Sequence, residues 1–224
     1  MRNVFDKMIL MNPALEQLQN EHEAIKTMLR VIEAVCEKLE AKGDVNPDDL
    51  DQMADFIKVF ADTCHHHKEE KILFPKMAES GIPVEGGPLG VMLYEHDLGR
   101  DFVRGMNEGI AKYRSEGDSS HFVGNARGYA SLLDGHIDKE NDILYPLAEN
   151  VIAPEEMEAL LQEFNRVESE HVGEGKHDEY HALLNRLVET YIGEEGCGCG
   201  HEHGEENAHA HHHGEGECCG RCHE

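Results

Sequence analysis

One eleven-residue stretch occurs twice in the chain without a gap. His65-His66-His67-Lys68-Glu69-Glu70-Lys71-Ile72-Leu73-Phe74-Pro75 aligns on His136-Ile137-Asp138-Lys139-Glu140-Asn141-Asp142-Ile143-Leu144-Tyr145-Pro146. Each copy holds a His-x-x-x-Glu with a proline six residues beyond the glutamate. Upstream, Glu21-His22-Glu23 with Arg30 matches Glu95-His96-Asp97 with Arg104, the arginine lying eight residues after the histidine in both. From His22 to His65 is 43 residues and from His96 to His136 is 40, so the simplest origin is a duplicated helical hairpin.

The punctuation of the chain agrees. Leu15 to Lys42 forms a first helical stretch closed by Gly43, and Asn46-Pro47-Asp48-Asp49 caps a second that runs to about Met77. A third spans about Pro88 to Ser115, and a fourth runs from Ser119 or Ser120 to about Asn150. A fifth starts at Ala153-Pro154 with a break at Gly173 and Gly175. Alternating strand patterns are absent and the links are short, which predicts an all-α, up-down-up-down four-helix bundle over residues 12–150 with a helical extension over 151–192.

Residues 193–224 are a different material. They hold 5 of the 7 cysteines, 7 of the 17 histidines and 8 of the 22 glycines, and almost nothing apolar to offset the entropy of ordering. A disordered tail is expected, with Cys197, Cys199, Cys218, Cys219 and Cys222 beside histidines in a mixture that suits zinc, nickel or copper. The remaining cysteines, Cys36 and Cys64, with no secretion signal in view, point to a reducing compartment and a soluble cytoplasmic protein. A formal charge of -26 makes nucleic acid or an anionic membrane surface a poor partner, and no apolar run is long enough to span a bilayer.

Residues four apart on a helix share a face, so His65 pairs with Glu69 and His136 with Glu140, on faces continued by Ala61 and Leu73 and by Leu132 and Leu144. His22 and His65 lie roughly 30 and 27 Å from the turn at Gly43, and His96 and His136 stand in the same relation to Gly117. All four histidines and both glutamates therefore fall in one layer. Buried among leucines, such a layer is costly unless a cation occupies it, and imidazole with carboxylate favours iron, manganese or zinc. The lack of thiolate in the layer argues against a structural zinc site.

This order of motifs, sealed by Leu-Phe-Pro and Leu-Tyr-Pro, resembles the hemerythrin-like or HHE cation-binding domain, over about residues 12–150. The resemblance implies a non-haem centre of two iron ions with carboxylate and oxo or hydroxo bridges. His22 and His65 would serve one side, His96 and His136 the other, with Glu69 and Glu140 bridging. Oxygen-carrying members use five histidines, including a His-x-x-x-His on the third helix. Here Arg100 and Met92 stand four residues after and before His96, so that helix lacks the fifth ligand, which argues against reversible oxygen carriage.

His66 and Glu70 form a rival pair one residue on, expected as a partly exposed pair beside the site because the proline register selects His65 and Glu69. His67 is expected to face solvent. His171, His177 and His181 could supply the missing ligand, His177 and His181 sharing a face, but a capping helix with polar contacts is preferred. Glu21, Glu95, Arg30 and Arg104 are candidates for orienting the ligands, and Phe74 and Tyr145 are expected to pack the end of the layer. No nucleophile triad, phosphate loop or dinucleotide fingerprint is present, so no catalytic residue is assigned. The expected function is binding of dioxygen, nitric oxide or peroxide. The alternatives are a reductase of peroxide or nitric oxide supplied by a redox partner, and iron handling or repair through a metal-delivery partner.

Overall fold

The structure, a computed structural model, describes residues 12–172 and 175–193, the side chains of 171 and 172 excepted. The tail and its cysteines lie outside the described residues, as does the side chain of His171.

The described residues form helices and no strand. Helix α1 is Pro13–Glu40, opened by Asn12, whose side chain accepts from the Ala14 N–H. Asn46 caps α2, residues 47–79, in the same way through Asp48. α3 is Pro88–Glu116, ended by Gly117 in the left-handed region at φ 73°, and α4 covers 120–151. The extension is two helices rather than one: α5, Pro154–Val167, and α6, Lys176–Tyr191, which starts beyond Gly175 at φ 83°. That glycine lies where the sequence suggested a break.

The four long helices close a ring in which α1 packs on α2 and α4, and α3 on α2 and α4. Their apolar residues form two separate cores. One is built on the distal half of the bundle and takes Tyr180, Leu184 and Leu187 from α6. The other holds Leu15, Leu73, Met92 and Tyr145, and takes Met157, Leu160 and Phe164 from α5. Among the described residues, nine of the ten buried polar or charged ones, all but Asp49, lie in the layer between the cores. No described helix is long and apolar enough to cross a membrane.

The duplicated prolines explain a local departure from the α-helix. A proline inside a helix cannot donate to the carbonyl four residues back, and its ring crowds that carbonyl. Both copies relieve this by widening the preceding turn into a π-helix, at Glu69–Leu73 and Glu140–Leu144. The Phe74 N–H bonds to the Glu69 carbonyl and the Tyr145 N–H to the Glu140 carbonyl, one residue further back than in an α-helix. Each bridging candidate therefore opens a π-turn. α2 carries a second, longer π-stretch, Ile57–His66, within which the Thr63 hydroxyl donates to the carbonyl of Lys58.

Candidate metal centre

Four histidines from four helices meet at one level, with the rings of His22 and His65 4.5 Å apart and those of His96 and His136 4.7 Å apart. Glu69 and Glu140, fully buried, stand between the two pairs. The Glu140 carboxylate lies 3.2 Å from His22 Nε2 through one oxygen and 3.1 Å from His136 Nε2 through the other. One oxygen of Glu69 lies 3.7 Å from His65 Nε2 and 3.5 Å from His96 Nε2. Each carboxylate thus spans both halves of the duplication.

His66 changes the count of donors. Expected to be partly exposed beside the site, it is 4% exposed and stacks on His96 with ring centroids 3.8 Å apart. Two donor sets result, His22, His65, Glu69 and Glu140 in one and His66, Glu69, His96 and His136 in the other. Within each set the donor atoms lie within 4.8 Å of one another, and Glu69 belongs to both. The reason is the π-stretch that ends at His66. A wider turn rotates less per residue than the 100° of an α-helix, so neighbouring side chains can serve two adjacent positions. Glu70 parts company with His66 and accepts from His96 Nδ1 at 2.9 Å instead. His67 is half-buried rather than solvent-facing.

The other face of each imidazole is held from outside the cluster. His22 Nδ1 meets Asn141 Oδ1 at 2.8 Å, His65 meets Glu21 at 2.8 Å, His66 meets Asp62 at 3.3 Å and His136 meets Glu95 at 2.8 Å. With Glu70 on His96, all five rings have Nδ1 against an oxygen acceptor, which fixes the tautomer that leaves Nε2 as a lone-pair donor. A further layer of cations braces those oxygens. Lys68 binds Glu21 and Lys139 binds Glu95, equivalent residues in the two copies, while Arg100 binds both Glu70 and Asp62 at 2.6 and 2.7 Å. Arg100, four residues after His96, thus supports two rings through their carboxylate partners. Arg30 and Arg104 turn elsewhere, to Thr27 and Asp101. Substituting Glu21 or Glu95 by glutamine should weaken metal binding by roughly 10–100-fold with the fold intact, the usual cost of removing such a support. Competition against a chelator measures it, and unchanged affinity in both variants would contradict the orienting role.

Lone pairs pointed at one another need a cation. His65 Nε2, Glu69 Oε2 and both oxygens of Glu140 are buried without a hydrogen-bond partner, and His96 Nε2 lies 3.0 Å from His136 Nε2. Burial, reinforced by the neighbouring imidazoles, holds His65 and His66 well below the usual histidine range, hence neutral. Burial and the charge of Glu140 push Glu69 well above the usual carboxylate range. Burial opposes ionisation of Glu140 too, yet His136 and His22 outweigh it and hold that carboxyl low. His136 is in turn raised, since Glu140 and Glu95 overcome the effect of its burial. Protons in this layer thus stand where cations fit, and the donor chemistry suits two borderline divalent ions.

Tyr145 does more than pack. Its hydroxyl donates to Glu69 at 2.7 Å and lies 3.3 Å from His22 Nε2, whereas its counterpart Phe74 stacks near His96 at 6.0 Å. The duplicated halves are therefore unlike, one offering three histidines and the other two histidines and a phenol. His177 and His181 lie away from this cluster. His177 groups with Glu21, Cys64 and Glu168, a set whose cation is the buried ammonium of Lys68, bound to both glutamates. Burial drives the Cys64 thiol up to about 12, so it stays protonated.

Uncharacterized proteins of Mycobacterium bovis and Mycobacterium tuberculosis are 23% identical over 164 residues, covering 72% of this chain. The chain spans 63% of the length of those relatives. No solved structure matches it. The family model for the hemerythrin HHE cation binding domain matches residues 14–148, the whole of the four-helix bundle and its buried layer, and the chain belongs to that family.

Proposed function

We propose that the layer holds two iron ions and that the protein binds dioxygen, nitric oxide or peroxide at them in the cytoplasm. The observation that carries this reading is the sharing of Glu69 by two donor sets while Glu140 reaches a histidine of each. Glu69 and Glu140 would be the carboxylates shared between the two ions. His66, His96 and His136 hold one ion, and His22 and His65 hold the other. Iron supplies reversible one-electron chemistry and open positions for a diatomic or peroxide ligand. The chain excludes bulk water with the two apolar cores, fixes each ring through its Nδ1 partner, and keeps the Tyr145 proton on a hydroxyl beside the two-histidine side. Burial and the Glu69 charge push that phenol well above its usual range.

Because Glu69 and His136 are both raised toward their protonated forms, each must release a proton before it can ligate. Metal binding should therefore expel protons, and affinity should rise with pH through the neutral range. Calorimetry in buffers of different ionisation enthalpy measures the release, and binding with no proton release would contradict the assignment.

The full chain, loaded anaerobically with ferrous iron and then given oxygen while its spectrum is recorded, tests the proposed function. A ligand-to-metal band that disappears when the gas is removed supports gas binding. Irreversible oxidation favours reduction of peroxide or nitric oxide, and an absence of any oxygen-dependent band would overturn the proposal. The composition of residues 193–224 favours a second reading in which the tail captures metal for the bundle or for a delivery partner. On that reading, a chain cut after Ile192 loads iron more slowly than the full chain at limiting metal.

A further inference from the structure

A mostly apolar cavity of about 320 Å³ lies between α2, α3 and α4, walled by Ile57, Gly99, Val103 and Tyr129 and bordered by Lys58, Asp62 and His66. Gly99 leaves it open. Glycine inside a helix lowers helix stability relative to alanine, so a buried one needs a reason. For Gly105 and Gly109 in α3 and Gly128 in α4 the reason is close packing, since a Cβ there would lie 2.2 to 2.4 Å from a neighbouring atom, and Gly124 and Gly135 in α4 are exposed. At Gly99, one turn beyond His96, a Cβ would meet only the Tyr129 ring, at an ordinary 3.6 Å. Packing does not demand glycine there, yet a longer side chain would fill the cavity.

Tyr129 is the second observation. It is 1% exposed, and its hydroxyl has no hydrogen-bond partner. A buried hydroxyl left unpaired is costly, and the cavity beside it is where a partner can be accommodated. Burial, with a contribution from Asp62, pushes the phenol upward in pKa, so it remains a donor. Of the charged groups at the cavity, Asp62 is paired with Arg100 and His66, and Arg104 with Asp101, while Lys58 stands exposed at its edge. A charged guest would have to break one of these pairs or reach out to the solvent-exposed ammonium of Lys58, whereas a neutral guest need do neither.

We propose that this cavity binds a small neutral organic molecule, apolar except for one oxygen that accepts a hydrogen bond from Tyr129, seated against His66. The volume is that of a small ligand site, and such sites pair an apolar wall with a few placed polar groups. Neither Tyr129 nor Gly99 is a candidate ligand, so the cavity stands whether or not iron fills the centre.

The test uses fluorine NMR titration of the full chain with 4-fluoroacetophenone, with 4-fluorotoluene as the probe lacking oxygen and 4-fluorobenzoate as the charged one. The ketone is expected to bind at one site per chain and more tightly than either control. Tyr129→Phe should weaken the ketone by about three- to tenfold and leave fluorotoluene unchanged, the effect of one hydrogen bond. Gly99→Leu should abolish saturable binding, while Gly99→Ala keeps the fold and most of the binding. Val103→Phe fills the cavity from the next turn of the same helix and decides the matter if Gly99→Leu fails to fold. No saturable ketone binding, tighter binding of the benzoate, or ketone affinity unchanged in both Tyr129→Phe and the cavity-filling variants would overturn the proposal.

Discussion

Glu69→Gln is expected to bring iron down from two ions per chain to one or none, while the metal-free protein stays as stable as the parent or becomes more so. Glu69 belongs to both donor sets, so losing its charge weakens both positions together. In the metal-free layer its carboxyl is already driven toward the neutral form by burial and by Glu140, and a neutral amide of the same shape removes a cost there. The hydrogen bond from Tyr145 retains an oxygen to meet. Opposite movements of iron content and stability separate a lost ligand from a lost fold. Metal analysis and thermal unfolding of the same preparation measure both. Two tightly held irons, or a metal-free stability lowered by more than about 2 kcal/mol, would contradict the bridging role.

The second large effect distinguishes two neighbours. His66→Ala should cost one of the two ions at least the 10–100-fold in affinity that loss of a supporting residue costs, leaving the other ion with His22 and His65. His67→Ala, one residue on in the same helix and outside both donor sets, should leave two irons in place. If His67→Ala empties the centre, or His66→Ala loads fully, the five-histidine arrangement is wrong.

Much of this site is legible in the sequence because duplication supplies its own control. The gapless match of His65 through Pro75 on His136 through Pro146 picks out the paired histidines and glutamates, and counting residues to each turn brings His22 and His96 to their level. Ideal helical geometry then fails at His66. A reading based on 3.6 residues per turn places it 100° from His65, and the π-stretch from Ile57 to His66 has no counterpart in the second copy to reveal it. The proline-linked π-turns could have been foreseen, since Pro75 and Pro146 each sit six residues past a bridging candidate, where an unbroken α-helix is strained. Lys68 and Lys139 were also within reach, being equivalent residues three past His65 and His136. What hid Lys68 is the default that lysine faces water. It is fully buried because Glu21 and Glu168 both bind its ammonium, and their charges outweigh the effect of burial and keep it protonated. Gly99 and Tyr129 carry no pattern at all, since a cavity is a property of packing between helices.

The bundle alone is expected to build a centre for two irons. Counting iron per chain in protein ended after Ile192, loaded anaerobically with excess ferrous iron and desalted, tests it most directly. Two tightly held irons are expected, because every donor in both sets lies between His22 and Glu140. One iron or none in this folded, shortened chain, with two in the full chain, would move the metal chemistry to the tail and contradict the account.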